Sequence, residues 1–67
     1  MKATFSYDKF LSLLHLAKAN GMAITITPIE DGEYLIIDKV HKNEFTTCTV
    51  HKKDLLVALE GAVKSEN

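Results

Sequence analysis

Two adjacent lysines, Lys52 and Lys53, are the residues whose type and position most suggest a binding function. They lie in the stretch VHKKDLLVALEGAV, whose apolar residues recur with helical spacing, so the lysines are predicted in the first turn of a helix. Positive side chains there oppose the helix dipole, at a cost of roughly a few tenths of a kcal/mol. The pair therefore either binds an anion such as phosphate or has acidic partners within the chain.

Other residues capable of chemistry are few. The three histidines, His15, His41 and His51, lack the spacing that lets two side chains reach one metal ion. Cys48 is the only cysteine and is predicted to be a small buried hydrophobe, not a nucleophile. The acidic turn after residue 29 is too short to supply the ligands of calcium, and no glycine-rich phosphate loop is present. We therefore expect no metal, no cofactor and no enzymatic activity.

Length and charge narrow the class of protein. The chain has 67 residues, a net charge of −1 and 46% hydrophobic residues, which indicates one globular domain spanning 1–67. This charge gives no general attraction to nucleic acid or anionic membranes, and no apolar run has the length of a membrane span. With one unpaired cysteine and no export signal, we expect a cytoplasmic protein. Such a small core favours support from a homodimer or another partner.

The apolar pattern predicts a first helix at about 7–20. Ser6 is its expected N-cap, and Phe5 and Phe10 stand at the two positions of a hydrophobic staple. Gly21 follows the last turn and provides the stop. Both ends of this helix are therefore marked in the sequence.

A second helix is predicted at about 52–64, and the residues after Lys64 are expected to fray. Gly61 lies within it, at a cost of up to about 1 kcal/mol relative to alanine. This glycine either permits close approach to the first helix or marks fraying.

Three strands are predicted at about 22–29, 33–40 and 44–50, where β-branched runs alternate with polar residues. Asp31-Gly32 is the expected turn of the first hairpin, and Lys42-Asn43 is the expected turn of the second. These turns place Ile26 opposite Ile37, and Ile37 opposite Cys48.

This register puts the apolar residues of all three strands on one face. The predicted fold is therefore α+β: a two-layer α-β-β-β-α sandwich with a three-stranded antiparallel sheet in the order 1-2-3 and both helices on one face.

The predicted register also offers the lysine pair partners within the chain. It brings the end of the third strand, and hence Lys52 and Lys53, beside the turn that carries Glu30, Asp31 and Glu33. Surface ion pairs gain about 0.2–1 kcal/mol each, which is enough to offset the dipole cost. Intramolecular charge balance is therefore the preferred interpretation of these lysines.

The order helix, three strands, helix is similar to that of the double-stranded-RNA-binding domain. In that family a lysine pair at the start of the last helix contacts phosphates, and Lys52 and Lys53 of the HKKDL stretch stand in the corresponding place. The resemblance implies contact between these lysines and an RNA backbone. The chain departs from the family in the minor-groove loop, which reads IEDGEY here, and at Leu56, where the family has a third lysine. We therefore do not assign it to that family.

A second, weak basic patch is predicted at the turn between the second and third strands, where Lys39, His41 and Lys42 lie. Together with Lys52 and Lys53, these are the candidate contacts to the backbone of double-stranded RNA or DNA. Nucleic-acid binding is the alternative function, and the less favoured one.

The sheet face opposite the helices is too apolar for an ordinary solvated surface. Its apolar members are Tyr34, Ile36, Val40 and Phe45, with a hydroxyl-bearing rim of Thr25, Thr47 and Thr49. An apolar patch with a polar rim is typical of an interface. The alternative is that the first five residues, whose alternation would suit an added strand, cover this face.

The sequence thus predicts a small non-enzymatic protein-binding module that uses the open sheet face and self-associates. By analogy, this profile is typical of compact regulators or inhibitors of larger proteins, such as those encoded by mobile elements. The expected partner is another protein or a second copy of the chain, with no membrane.

Overall fold

The computed structural model describes residues 5–64 and confirms the predicted α+β fold. Its elements are α1 (Tyr7–Ala19), β1 (Ala23–Ile29), a 3-10 turn (Glu30–Gly32), β2 (Tyr34–His41), β3 (Glu44–His51), a 3-10 turn (Lys52–Asp54) and α2 (Leu55–Lys64). The three strands form one antiparallel sheet in the order β1-β2-β3. The added N-terminal strand and the fraying of the last residues concern 1–4 and 65–67, which lie outside the described range.

The predicted signals at both ends of α1 are confirmed. The Ser6 hydroxyl accepts a hydrogen bond from the backbone N–H of Lys9, as an N-cap does. At the other end Gly21 adopts a left-handed φ of 78°, and the N–H of Met22 donates to the carbonyl of Ala17 at 2.8 Å. This 6→1 bond is the Schellman motif, which turns the chain out of the helix and towards β1.

Both predicted hairpin turns are confirmed. Lys42 and Asn43 of the second turn have φ values of 54° and 67°. In the first, the Glu33 N–H donates to the Glu30 carbonyl around Asp31 and Gly32, whose φ values are 59° and 86°, and Glu30 adds a third positive φ of 52°. Two successive positive φ angles define the type I′ turn, whose twist matches that of the flanking strands. The turns fix the predicted register, in which Ile37 pairs with Ile26 on one side and with Cys48 on the other.

The core lies mainly between the two helices. Its main cluster of buried residues is Leu13, Ala17, Met22, Leu59 and Val63, and Ile37 of β2 is buried as well. Ile24 of β1 packs against this cluster, and the Lys39 ammonium of β2 reaches the carbonyl of Ala62 in α2. These two strand residues lie on one face of the sheet, so both helices cover that face.

The helices cover β1 and β2 but leave most of β3 uncovered. Residues 44–49 of β3 are exposed on both faces of the sheet, and only Val50 and His51 are partly buried. The expectation that Cys48 is buried is therefore wrong, because the Cys48 side chain is exposed. It does lie on the same face as Ile37, as predicted, but neither helix described within residues 5–64 buries it.

A carboxylate links the two helices at the surface. Glu60 of α2 lies 3.3 Å from the Lys9 ammonium of α1 and 3.1 Å from that of Lys64. Hydrogen bonds from Lys64 and Lys9 lower the pKa of the Glu60 carboxyl below its ordinary value of 4.5. The pKa of Glu60 is therefore lower in the folded than in the unfolded state. The Glu60 ion pairs stabilise the fold above about pH 4.5, and this stabilisation is lost as the pH falls through the folded-state pKa.

Gly61 neither permits a close approach nor occupies a frayed turn. It lies inside α2, and a Cβ added there would meet no atom within 4 Å. We therefore expect Gly61→Ala to raise the free energy of unfolding by about 0.4–1 kcal/mol, because alanine restricts the unfolded chain and favours the helix. Urea denaturation followed by circular dichroism measures this change. Gly21→Ala is the control and should destabilise, since its φ is 78°; a decrease in both variants would contradict the argument.

Candidate functional site

The open face is the sheet surface opposite the helices. Because side chains alternate along each strand, the confirmed register fixes its members. They are Ala23, Thr25, Thr27, Ile29, Tyr34, Ile36, Asp38, Val40, Phe45, Thr47, Thr49 and His51. All seven residues predicted to form a protein interface are among them.

Three large side chains on the open face are strongly exposed. Tyr34 is 40% exposed, Val40 45% and Phe45 63%. Val40 and Phe45 are directly opposite partners on β2 and β3, so they form one continuous apolar surface. Ile36, which follows Tyr34 on this face of β2, is partly buried. Asp38 then separates Tyr34 and Ile36 from Val40 and Phe45.

The three threonines predicted as a rim lie on this face, but Thr25 and Thr47 stand between its two apolar groups and not around them. Thr25, Thr47 and Thr49 are exposed, and Thr25 and Thr47 flank Asp38 of β2 on its two sides. Threonine hydroxyls both donate and accept hydrogen bonds, so they can adapt to the polar groups of a partner. The open face therefore combines exposed apolar side chains with a polar row of Thr25, Asp38 and Thr47.

The lysine pair precedes α2 instead of starting it. Lys52 and Lys53 lie in the short 3-10 turn, and α2 begins at Leu55, three residues later than predicted. The Lys52 ammonium lies 3.6 Å from Glu33 Oε2, which agrees with the predicted charge balance. Among residues 5–64 no ion pair involves Lys53. Only Lys52 therefore has an acidic partner there.

His51 is the residue of this region that the sequence interpretation missed. Its Nδ1 accepts a hydrogen bond from the backbone N–H of Lys53 at 3.2 Å, so the neutral ring carries its proton on Nε2. That nitrogen lies 3.0 Å from Glu33 Oε1, and the ring packs edge-on against Tyr34 with centroids 5.1 Å apart. His51 therefore holds the end of β3, the acidic turn and the open face together.

The second basic patch does not converge on one surface. Lys39 points to the helix-covered face, where its ammonium donates a 2.9 Å hydrogen bond to the carbonyl of Ala62. This bond satisfies one of the last carbonyls of α2, which favour a cation. Lys42 instead occupies the turn at the end of β2, and His41 pairs with Glu44 in the ladder. By strand alternation His41 lies on the same helix-covered face as Lys39, whereas Lys42 lies in the turn, so the three residues do not share one surface.

Residues 5–64 contain neither a metal site nor a membrane-spanning helix. Within residues 5–64, no three histidine, cysteine or acidic side chains come together as metal ligands. Neither helix in that range is long and apolar enough to span a membrane. Comparison with protein-family models, with curated protein sequences and with solved structures finds no match.

Proposed function

We propose that this protein is a small non-enzymatic protein-binding module that acts in the cytoplasm through its open face. The observation that carries the proposal is the exposure of three large apolar side chains, Tyr34, Val40 and Phe45, on one sheet face. Exposed apolar surface of this kind is costly in water and is typical of binding surfaces. A regulator or inhibitor that covers part of a larger protein is the function that this surface fits best.

Two side chains should dominate the binding energy. Aromatic residues are over-represented among interface residues whose truncation costs about 2 kcal/mol or more. Tyr34 and Phe45 are the two aromatic side chains on the open face, and their removal leaves the helix-facing core untouched. The threonines, two of which flank Asp38 between the apolar groups, then provide hydrogen bonds to the partner.

A photo-cross-linking experiment in the native cells tests the proposal. A benzoylphenylalanine at Thr25 places the probe on the open face, and the same residue at Val57 places it on an exposed position of α2. We expect an adduct with another protein from position 25 but not from position 57. Tyr34→Ser/Phe45→Ser should reduce the adduct at least about tenfold, the factor that 1.4 kcal/mol represents, with an unchanged circular-dichroism spectrum.

Two results would contradict the proposal. Equal adducts from positions 25 and 57 would show that contact with the open face is not specific. A folded double variant that keeps its adduct would show that the aromatic side chains do not contribute. If the adduct contained only a second copy of the chain, the open face would serve self-association and not binding to a larger protein.

Nucleic-acid binding remains the alternative function, with less support. It requires several cations on one surface and an affinity that falls steeply with salt. The ammonium groups of Lys39 and Lys52 are already engaged by Ala62 and Glu33, which lowers their availability for phosphate.

A further inference from the structure

The outer edge of β3 is the second unusual surface of this molecule. An edge strand offers unpaired backbone groups to another strand, and natural sheets usually block such edges with charged residues or proline. β1, the other edge, contains Pro28. In β3 the run from Phe45 to Val50 contains neither a charge nor a proline, and residues 44–49 are exposed on both faces. Within residues 5–64 no strand lies beside this edge, so it is open to pairing.

One hydrogen bond identifies the backbone groups that point outward from β3. The N–H of Lys52 donates to the carbonyl of Glu33 at 2.9 Å, continuing the β2–β3 register by one position. Because successive residues of an antiparallel strand point their backbone groups to opposite sides, the even-numbered residues of β3 face β2. The N–H and C=O groups of Phe45, Thr47 and Thr49 therefore point to the free edge.

We propose that a second copy of this chain pairs with β3 along this edge, antiparallel and about a two-fold axis at Cys48. Antiparallel self-pairing is the arrangement that two-fold symmetry allows for identical strands. In this register Thr47 lies opposite Thr49 of the second copy, and Glu44 lies opposite Lys52 of the second copy. Threonine pairs and opposite charges at facing positions both stabilise a sheet.

Charge complementarity favours this register and a second copy of the chain as the pairing partner. β3 carries an exposed carboxylate, Glu44, at its start, and an exposed ammonium, Lys52, directly follows its end. A shift by two residues would place Glu44 opposite Val50 and remove its contact with Lys52, which would keep only its partner Glu33 in its own chain. The strand is thus complementary to its own antiparallel copy.

The pairing would create a larger binding surface. A two-fold axis perpendicular to the sheet keeps both open faces on the same side, so three strands from each copy form one six-stranded sheet. The inference is independent of the proposed function, because it uses the strand edge and not the aromatic side chains of the open face.

Cys48 gives a direct test of the register. In this register the Cys48 residues of the two copies face each other as a non-hydrogen-bonded pair, whose Cα atoms are about 4.5 Å apart. Disulfides form at Cα separations of roughly 4.4–6.8 Å. Diamide, which takes two electrons and two protons from two thiols, should therefore convert the reduced protein rapidly to a covalent dimer on a non-reducing gel. The matched control is Thr46→Cys/Cys48→Ser, whose two thiols would be offset by four residues, or roughly 13 Å.

The expected result is at least tenfold faster cross-linking of the natural protein than of the control. Equal rates, or no covalent dimer from the natural protein, would overturn the proposed register.

Light scattering adds a measurement that does not use the thiol: the reduced protein should have the mass of a dimer, and Thr47→Pro should be a folded monomer because proline removes an outward N–H. A dimeric Thr47→Pro would overturn edge pairing itself, whereas Tyr34→Ser, which tests the open face, should leave the dimer intact.

Discussion

Leu59→Ala is expected to lower the free energy of unfolding by about 2–5 kcal/mol, the range for truncating a buried leucine. Leu59 is 0% exposed and lies in the core between the two helices, so its truncation leaves a cavity that the surroundings fill only partly. A domain of this size has roughly 3–5 kcal/mol of stability in total. The variant should therefore be largely unfolded at room temperature, as urea titration with far-ultraviolet circular dichroism would show.

Val57→Ala is the matched control for this variant. Val57 lies in the same helix, two residues earlier, and is 75% exposed. Surface substitutions of this kind usually change stability by no more than about 0.5 kcal/mol. If the two variants had the same urea midpoint, the assignment of Leu59 to the core would be contradicted.

Ala17→Leu is expected to destabilise the protein by about 1–3 kcal/mol, because extra methylenes in a packed core force neighbouring side chains apart. Ala17 is 2% exposed and belongs to the same core cluster as Leu59 and Val63. Its carbonyl also accepts the hydrogen bond from Met22 that ends α1. Overpacking at this point should therefore disturb both the helix pair and the entry into β1.

Ala19→Leu separates packing from helix propensity. Ala19 ends the same helix but is exposed, and alanine and leucine have similar helix propensities. We expect the melting temperature of Ala19→Leu to stay near that of the unmodified protein while that of Ala17→Leu falls by several degrees. Unchanged melting in both variants would show that the site at Ala17 can accommodate the larger side chain.

The elements and their register could be predicted because short local signals determine them. Asp31-Gly32 sets one hairpin, and the less favourable Lys42-Asn43 pair still adopts the positive φ angles of a type I′ turn. Since side-chain direction alternates strictly along a strand, those two turns determine which residues occupy the open face. The composition of that face was therefore predictable without tertiary information.

The exposure of Cys48 could not be predicted in the same way. Register gives the face on which Cys48 lies, but burial depends on how far two helices extend across three strands. That distance depends on helix packing, which the local pattern does not encode. The position of Lys39 beside the end of α2 was missed for the same reason, because it depends on where that helix stops.

His51 could have been found from the sequence. Extending the predicted β2–β3 register by one position places His51 opposite Tyr34, and by two positions places Lys52 opposite Glu33. The prediction ended the third strand at Val50 and began the second helix at Lys52, so it did not include these pairs. The 3-10 turn between them was not predicted, since a single turn of this kind has no distinct apolar periodicity.

The helix pair joins segments that are far apart along the chain, and this affects how the protein can be made. Leu13 and Ala17 come from α1, whereas Leu59 and Val63 come from α2. The two hairpins between them are local structures, and an isolated hairpin is marginally stable at best. Until residue 63 has left the ribosome, α1 has no partner helix, and its apolar stripe is available to chaperones. Stable folding of this domain must therefore follow its synthesis.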